Sequence, residues 1–126
     1  MLQRGLSGLT LLVLLCHNGV KATELTICEN QPTFLSCGVA TIKVLSVFYG
    51  RDDTTTCASG NTDNTNCALS DALNIAATTC DGTTLCKIIP YETYSDPCFG
   101  TSKYMRLSYQ CVVPAIQPPP IPTIIT

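Results

Sequence analysis

The chain has 126 residues, 45% of them hydrophobic and only 13% charged, with a formal net charge of −2. That length suggests one domain, and the slightly acidic balance offers no basic field to nucleic acid or an anionic membrane. Nine cysteines, one histidine and no tryptophan set the remaining limits.

The N-terminus reads as a leader. Arg4 precedes the apolar run "LTLLVLLC" (9–16), broken only by Thr10, and Val20-Lys21-Ala22 carries the small or modest residues that a signal peptidase reads. The run is about half of the ~20 residues needed to cross a bilayer. Residues 1–22 are therefore expected to be a cleaved secretory signal, and no transmembrane segment is expected. Cleavage removes Arg4, Cys16, His17 and Lys21, leaving five Lys+Arg against nine Asp+Glu, a net charge of −4.

Short strands are expected over Leu25–Cys28 and Thr33–Cys37, with the turn signal "NQP" between them. In "TIKVLSVFY" (41–49), apolar Ile42, Val44, Val47 and Tyr49 stand against Lys43 and Ser46. This is a half-buried strand whose alternation slips near Leu45, as at a bulge. "RDDTTTCASGNTDNTNC" (51–67) is a polar loop. Residues 68–80 carry a helical period through Leu69, Leu73, Ala76 and Cys80, with Ser70 or Asp71 to cap it. Leu85–Ile89 is a strand stopped by Pro90, and Lys103–Cys111 is the clearest alternating strand of the chain. Residues 112–126 hold five prolines and read as an extended tail.

Eight cysteines remain after cleavage: Cys28, Cys37, Cys57, Cys67, Cys80, Cys86, Cys98 and Cys111. An even number in about 104 secreted residues reads as four disulfides. Zinc is disfavoured, because zinc pairs stand two to four residues apart, often with histidine. The spacing leaves the pairing open, except that the Asp81-Gly82 turn inside "CDGTTLC" can bring Cys80 to Cys86.

Catalysis has little to work with. Ser–His and Cys–His pairs need a histidine, and oxidised cysteines supply no thiolate. Asp52, Asp53 and Asp63 do not match an EF-hand loop. Sugar binding asks for less: a carboxylate acceptor, a lysine donor and an aromatic face. "SDPCFGTSKYMRLSYQC" (95–111) supplies Asp96, Lys103 and Tyr104, with Cys98 to fix the loop.

Together, "ICENQPTFLSC" (27–37), "FYGRDDTTTC" (48–57) and "SDPCFGTSKYMRLSYQC" (95–111) resemble the rhamnose/galactose-binding lectin domain of the sea-urchin-egg-lectin type. Tyr49-Gly50-Arg51, and Asp96-Pro97-Cys98 followed by Lys103-Tyr104, are its two signatures. The resemblance implies a small α+β domain at 23–111, with short antiparallel sheets packed with one long helix. It implies the disulfides Cys28–Cys57, Cys37–Cys111, Cys67–Cys98 and Cys80–Cys86. It also implies calcium-independent binding of L-rhamnose and D-galactose, both of which present three adjacent hydroxyls in similar array.

Carried over by position, the implied sugar-binding residues are Glu29, Tyr49, Asp96 and Lys103, with Gly100 and Thr101 in the intervening loop. Arg51 is expected to brace the fold by pairing with an acid, and Tyr104 and Tyr109 to pack. Two positions depart from the family. Asn30 stands where glycine is common, and Glu92 lies near the place of an asparagine. The expected partners are cell-surface or microbial glycans ending in galactose or rhamnose. No enzyme activity, cofactor or metal is expected, and oligomeric state is left open between monomer and homo-oligomer. The rival reading is an extracellular protein-binding adhesion module of the same fold.

Overall fold

The computed structural model describes residues 21–113. The expected leader run and nearly all of the proline-rich tail lie outside the described residues. Six strands and two short helices follow one another: β1 (Thr23–Cys28), β2 (Thr33–Ser36), β3 (Thr41–Arg51), β4 (Cys67–Ala68), α1 (Ala72–Cys80), β5 (Leu85–Ile88), α2 (Pro90–Thr93) and β6 (Tyr104–Val112). They form an antiparallel four-stranded sheet in the order β1-β6-β3-β4 and a two-stranded sheet of β2 with β5.

β6 and β3 are the two inner strands of the larger sheet, and β6 has the more regular alternation. It buries Met105, Leu107 and Tyr109 on one face, with β1 and β3 paired on either side. The slip in β3 is a bulge: the register with β6 shifts between Val44 and Ser46. Part of the far edge of β3 is covered by the turn after α1. The Ile42 N–H donates to the Thr83 carbonyl (2.8 Å), the Gly82 N–H donates to the Ile42 carbonyl (2.9 Å), and Asp81 Oδ1 accepts the Val44 N–H (2.8 Å).

The helix differs from the sequence-based expectation. It spans nine residues, neither the 68–80 run nor one long helix. Its expected first turn is drawn into β4, where Cys67 and Ala68 pair with Arg51 and Gly50. Its buried stripe is Ala72, Ala76 and Cys80, while Leu73 faces solvent. The small alanines let the helix backbone lie close against the sheet, which a leucine stripe would prevent. Asp71 occupies the N-cap position without a side-chain hydrogen bond. The Asp81–Gly82 turn, with Gly82 at φ +82°, ends the helix where Cys80 bonds to Cys86.

Ile27, Leu35, Ile42, Val44, Tyr49, Ile88, Tyr94, Met105, Leu107 and Tyr109 form one core with the helix alanines. Four disulfides frame it: Cys28–Cys57, Cys37–Cys111, Cys67–Cys98 and Cys80–Cys86. At about 2–4 kcal/mol each they supply stability that so small a core does not. Among the described residues no helix is long and apolar enough to cross a membrane.

Candidate functional site

The register of β1 with β6 builds one half of the site. Cys28 stands opposite Tyr104, and the next N–H along, that of Glu29, donates to the Lys103 carbonyl (3.1 Å). The loop from α2 to β6 builds the other half. Asp96 Oδ1 accepts the Cys98 N–H (2.9 Å), and the Cys98 disulfide to Cys67 anchors that turn to β4. Gly100 at φ +86° then reverses the chain, and the Thr101 N–H donates back to the Cys98 carbonyl (3.2 Å).

These elements bring Glu29, Asp96, Thr101 and Lys103 together. The Lys103 ammonium lies 3.2 Å from Glu29 Oε2 and 3.1 Å from Asp96 Oδ1, and it donates to the Thr101 carbonyl at 2.6 Å. The ammonium thus donates one hydrogen bond to a carbonyl and meets the two carboxylates as ion pairs. The lysine side chain is 5% exposed, against 28% for Glu29 and 42% for Asp96. The buried cation thus holds two carboxylates at the surface, with acceptor capacity directed to solvent. The depression over them measures about 450 Å³ and is also lined by Ser59, Gly60, Asn61, Phe99, Gly100 and Ser102.

Tyr49 takes a different place. It is 1% exposed, its ring stacked on Tyr94 with centroids 4.8 Å apart. Burial, reinforced by the charges of Glu29 and Asp96, pushes its phenol well above the ordinary tyrosine range. Tyr94, buried with its hydroxyl on Met105 Sδ (3.3 Å), is pushed up to about 12 by burial alone.

Arg51 is fully buried, and it braces the fold chiefly through carbonyls. Nε donates to Ser102 O (2.6 Å), Nη1 to Asp53 O (2.8 Å), and Nη2 to Thr56 O (2.6 Å) and Cys57 O (3.0 Å). Its acid partner, Asp53, is more distant at 3.7 Å. One guanidinium therefore ties the 51–67 loop to the strand entrance beside Lys103. Tyr104 packs fully buried under Arg51, and its hydroxyl donates to Asp52.

Ser59, Asn61 and Ser102 were not singled out by sequence reasoning, because nothing in the polar loop marks which residues return to the site. The Ser102 N–H donates to the Asn61 carbonyl at 2.9 Å, a contact between distant segments. Phe99 did carry a signal: a large ring between Cys98 and Gly100 in a tight turn has nowhere to bury, and it is 98% exposed.

A disulfide-framed α+β domain with paired surface carboxylates over a shallow polar depression belongs to the class of small domains suited to hydroxyl-rich ligands. The comparison with known proteins narrows that class. Residues 35–111 match the D-galactoside/L-rhamnose binding SUEL lectin domain, and the chain belongs to that family. It is 40% identical over 94 residues to the rhamnose-binding lectin of Silurus asotus, covering 71% of this chain and 30% of that protein. It is 38% identical over 89 residues to the L-rhamnose-binding lectin ELEL-1 of Echinometra lucunter, covering 68% of this chain and 86% of that protein. Adhesion G protein-coupled receptor L1 of Homo sapiens matches at 36% over 98 residues, covering 75% of this chain and 7% of the receptor. The chain thus spans under a third of the Silurus lectin's length.

Proposed function

We propose that the chain is a secreted, calcium-independent lectin that binds terminal L-rhamnose or D-galactose on cell-surface or microbial glycans, without catalysis or cofactor. The observation that carries this reading is the triad of Glu29, Lys103 and Asp96 at the floor of the polar depression. Sugar hydroxyls donate to carboxylates, and each such charge-assisted bond contributes about 1.5–3 kcal/mol. Lys103 fixes the spacing of the two acceptors, so adjacent hydroxyls meet a preformed pair. The same ammonium is the physical basis for calcium independence, since it already occupies the position between the carboxylates that a bridging cation would take. The family membership and the rhamnose-binding names of two relatives support the ligand class.

The test is a glycan array run with and without EDTA. Retention of glycans ending in rhamnose or galactose, undiminished by EDTA, is expected. Loss of binding in EDTA overturns calcium independence, and an array with no bound glycan overturns the lectin reading. The similarity to the adhesion receptor favours a second reading, an extracellular protein-binding module. A silent array from a folded protein would turn the assignment that way.

A further inference from the structure

We infer that the site extends into a second subsite, with Tyr91 as its stacking platform, so that the preferred ligand is a disaccharide or longer glycan end rather than a single sugar. This rests on the lectin reading and deepens it.

A second depression of about 300 Å³ adjoins the first. It shares Glu29, Ser59, Ser102 and Lys103 with it, and adds Asn30 and Tyr91. The two form one continuous polar trough that runs past the ion triad. Among the described residues the exposed aromatic rings are Phe34, Tyr91 and Phe99, and two of these three border this trough. Phe34 lies on the separate β2-β5 sheet with Lys87 over its ring. Phe99 lines the first depression and Tyr91 the second.

Tyr91 is placed for this role rather than left over from the core. Pro90 starts the short α2 helix and presets its backbone. The Tyr91 N–H donates to the Glu29 carbonyl at 2.9 Å, tying the residue to the same segment that presents the carboxylate. Its hydroxyl donates to Glu92 Oε1 at 3.1 Å, yet the residue stays 56% exposed. A ring held at its backbone and its hydroxyl loses little freedom when a ligand covers it, which is what makes tyrosine an economical contact surface. The apolar face of a pyranose fits such a ring, while the Asn30 amide and the Ser59 hydroxyl supply donors and acceptors for its edge. A sugar linked to the residue held at the triad would lie over Tyr91.

The experiment compares methyl α-L-rhamnoside and methyl galactosides with a linkage series of rhamnosyl and galactosyl disaccharides, by isothermal titration calorimetry. At least one linkage is expected to bind about tenfold tighter than its methyl glycoside, the gain from covering part of an exposed ring. Tyr91→Ala should remove that gain and leave methyl glycoside affinity within about twofold of the parent, while Tyr91→Phe should keep most of it. If no disaccharide exceeds its methyl glycoside, or if Tyr91→Ala weakens both ligands equally, the second subsite is overturned. If neither methyl glycosides nor disaccharides bind the parent protein, the lectin reading fails and the subsite with it.

Discussion

Lys103 Nζ stands 3.1 Å from Asp96 Oδ1, while Asp96 itself is the most exposed member of the triad. In the proposed site the lysine is therefore the buried post and the aspartate the group open to a ligand. Asp96→Asn should weaken rhamnose or galactose binding about tenfold or more, since one charge-assisted bond of ~1.5–3 kcal/mol is lost and ~1.4 kcal/mol is a factor of ten. Lys103→Met should do the same and also lower stability, because Glu29 and Asp96 lose their shared cation. Calorimetric titration with both sugars decides it; variants that bind as the parent does would place the site elsewhere.

Gly50 explains the glycine of the Tyr-Gly-Arg signature. Its φ is +154°, and a Cβ added there would lie 1.9 Å from the Cys67 carbonyl oxygen. That neighbour is backbone in a paired strand next to a disulfide, so it cannot yield. Gly50→Ala is expected to destabilise by about 2 kcal/mol or more, through strain and loss of the β3-β4 pairing. A urea midpoint equal to the parent's would refute the close approach.

Arg51 donates four hydrogen bonds to carbonyls of the loop and of Ser102. A lysine is charged but lacks the planar fork that reaches four separate acceptors. Arg51→Lys should cost about 3 kcal/mol or more, at ~1.5–3 kcal/mol for each bond to a charged group. Because Ser102 precedes Lys103, sugar affinity should fall with it. Chemical denaturation and sugar titration on the same sample test both effects.

Asp52 links stability to acid. Hydrogen bonds from Arg106, and secondarily from Tyr104, lower its carboxyl from 3.8 to about 2. A depressed folded value means that the contribution is complete above the ordinary carboxyl range and fades as the pH falls toward about 2. The Asp52→Asn variant should therefore be less stable than the parent at neutral pH. The difference should shrink across roughly pH 4 to 2. Acid unfolding followed by circular dichroism measures it, and a constant difference over that window would contradict the pairing.

Sugar affinity itself should be flat from about pH 5.5 to 8, where histidine is the side chain that ordinarily titrates. The one histidine of the chain, His17, falls within residues 1–22, the segment expected to be removed as a leader. A sigmoidal change in affinity centred near pH 6, measured by calorimetric titration across that range, would contradict this.

Much of the frame was legible in the sequence for local reasons. Alternation in residues 103–111 is a property of the strand itself, and the slip at Leu45 marks the bulge because an extra residue must break period two. The Asp81-Gly82 turn reports the Cys80–Cys86 bridge because the two cysteines stand only six positions apart around it. Cys28–Cys57, Cys37–Cys111 and Cys67–Cys98 carry no such local signal; the resemblance supplied them.

The rest was decided by packing between distant segments. The helix period through Leu69 and Leu73 is real as a pattern, yet β4 pairing claims its first turn and the close approach to β3 selects the alanine stripe. Glu29, Asp96 and Lys103 were each readable as candidates from the family motif. What the sequence by itself could not show was their burial: the lysine lies beneath two carboxylates more exposed than itself, and Tyr49 lies in the core. Ser59 and Asn61 reach the first depression through loop closure, and Tyr91 borders the second through a backbone bond to Glu29, long-range contacts that leave no periodic or compositional trace. Strands and turns are set by short-range sterics, and the cysteine count is the composition itself, so all three are written along the chain, whereas the shape of the trough depends on which segments meet and is fixed only when the tertiary structure closes.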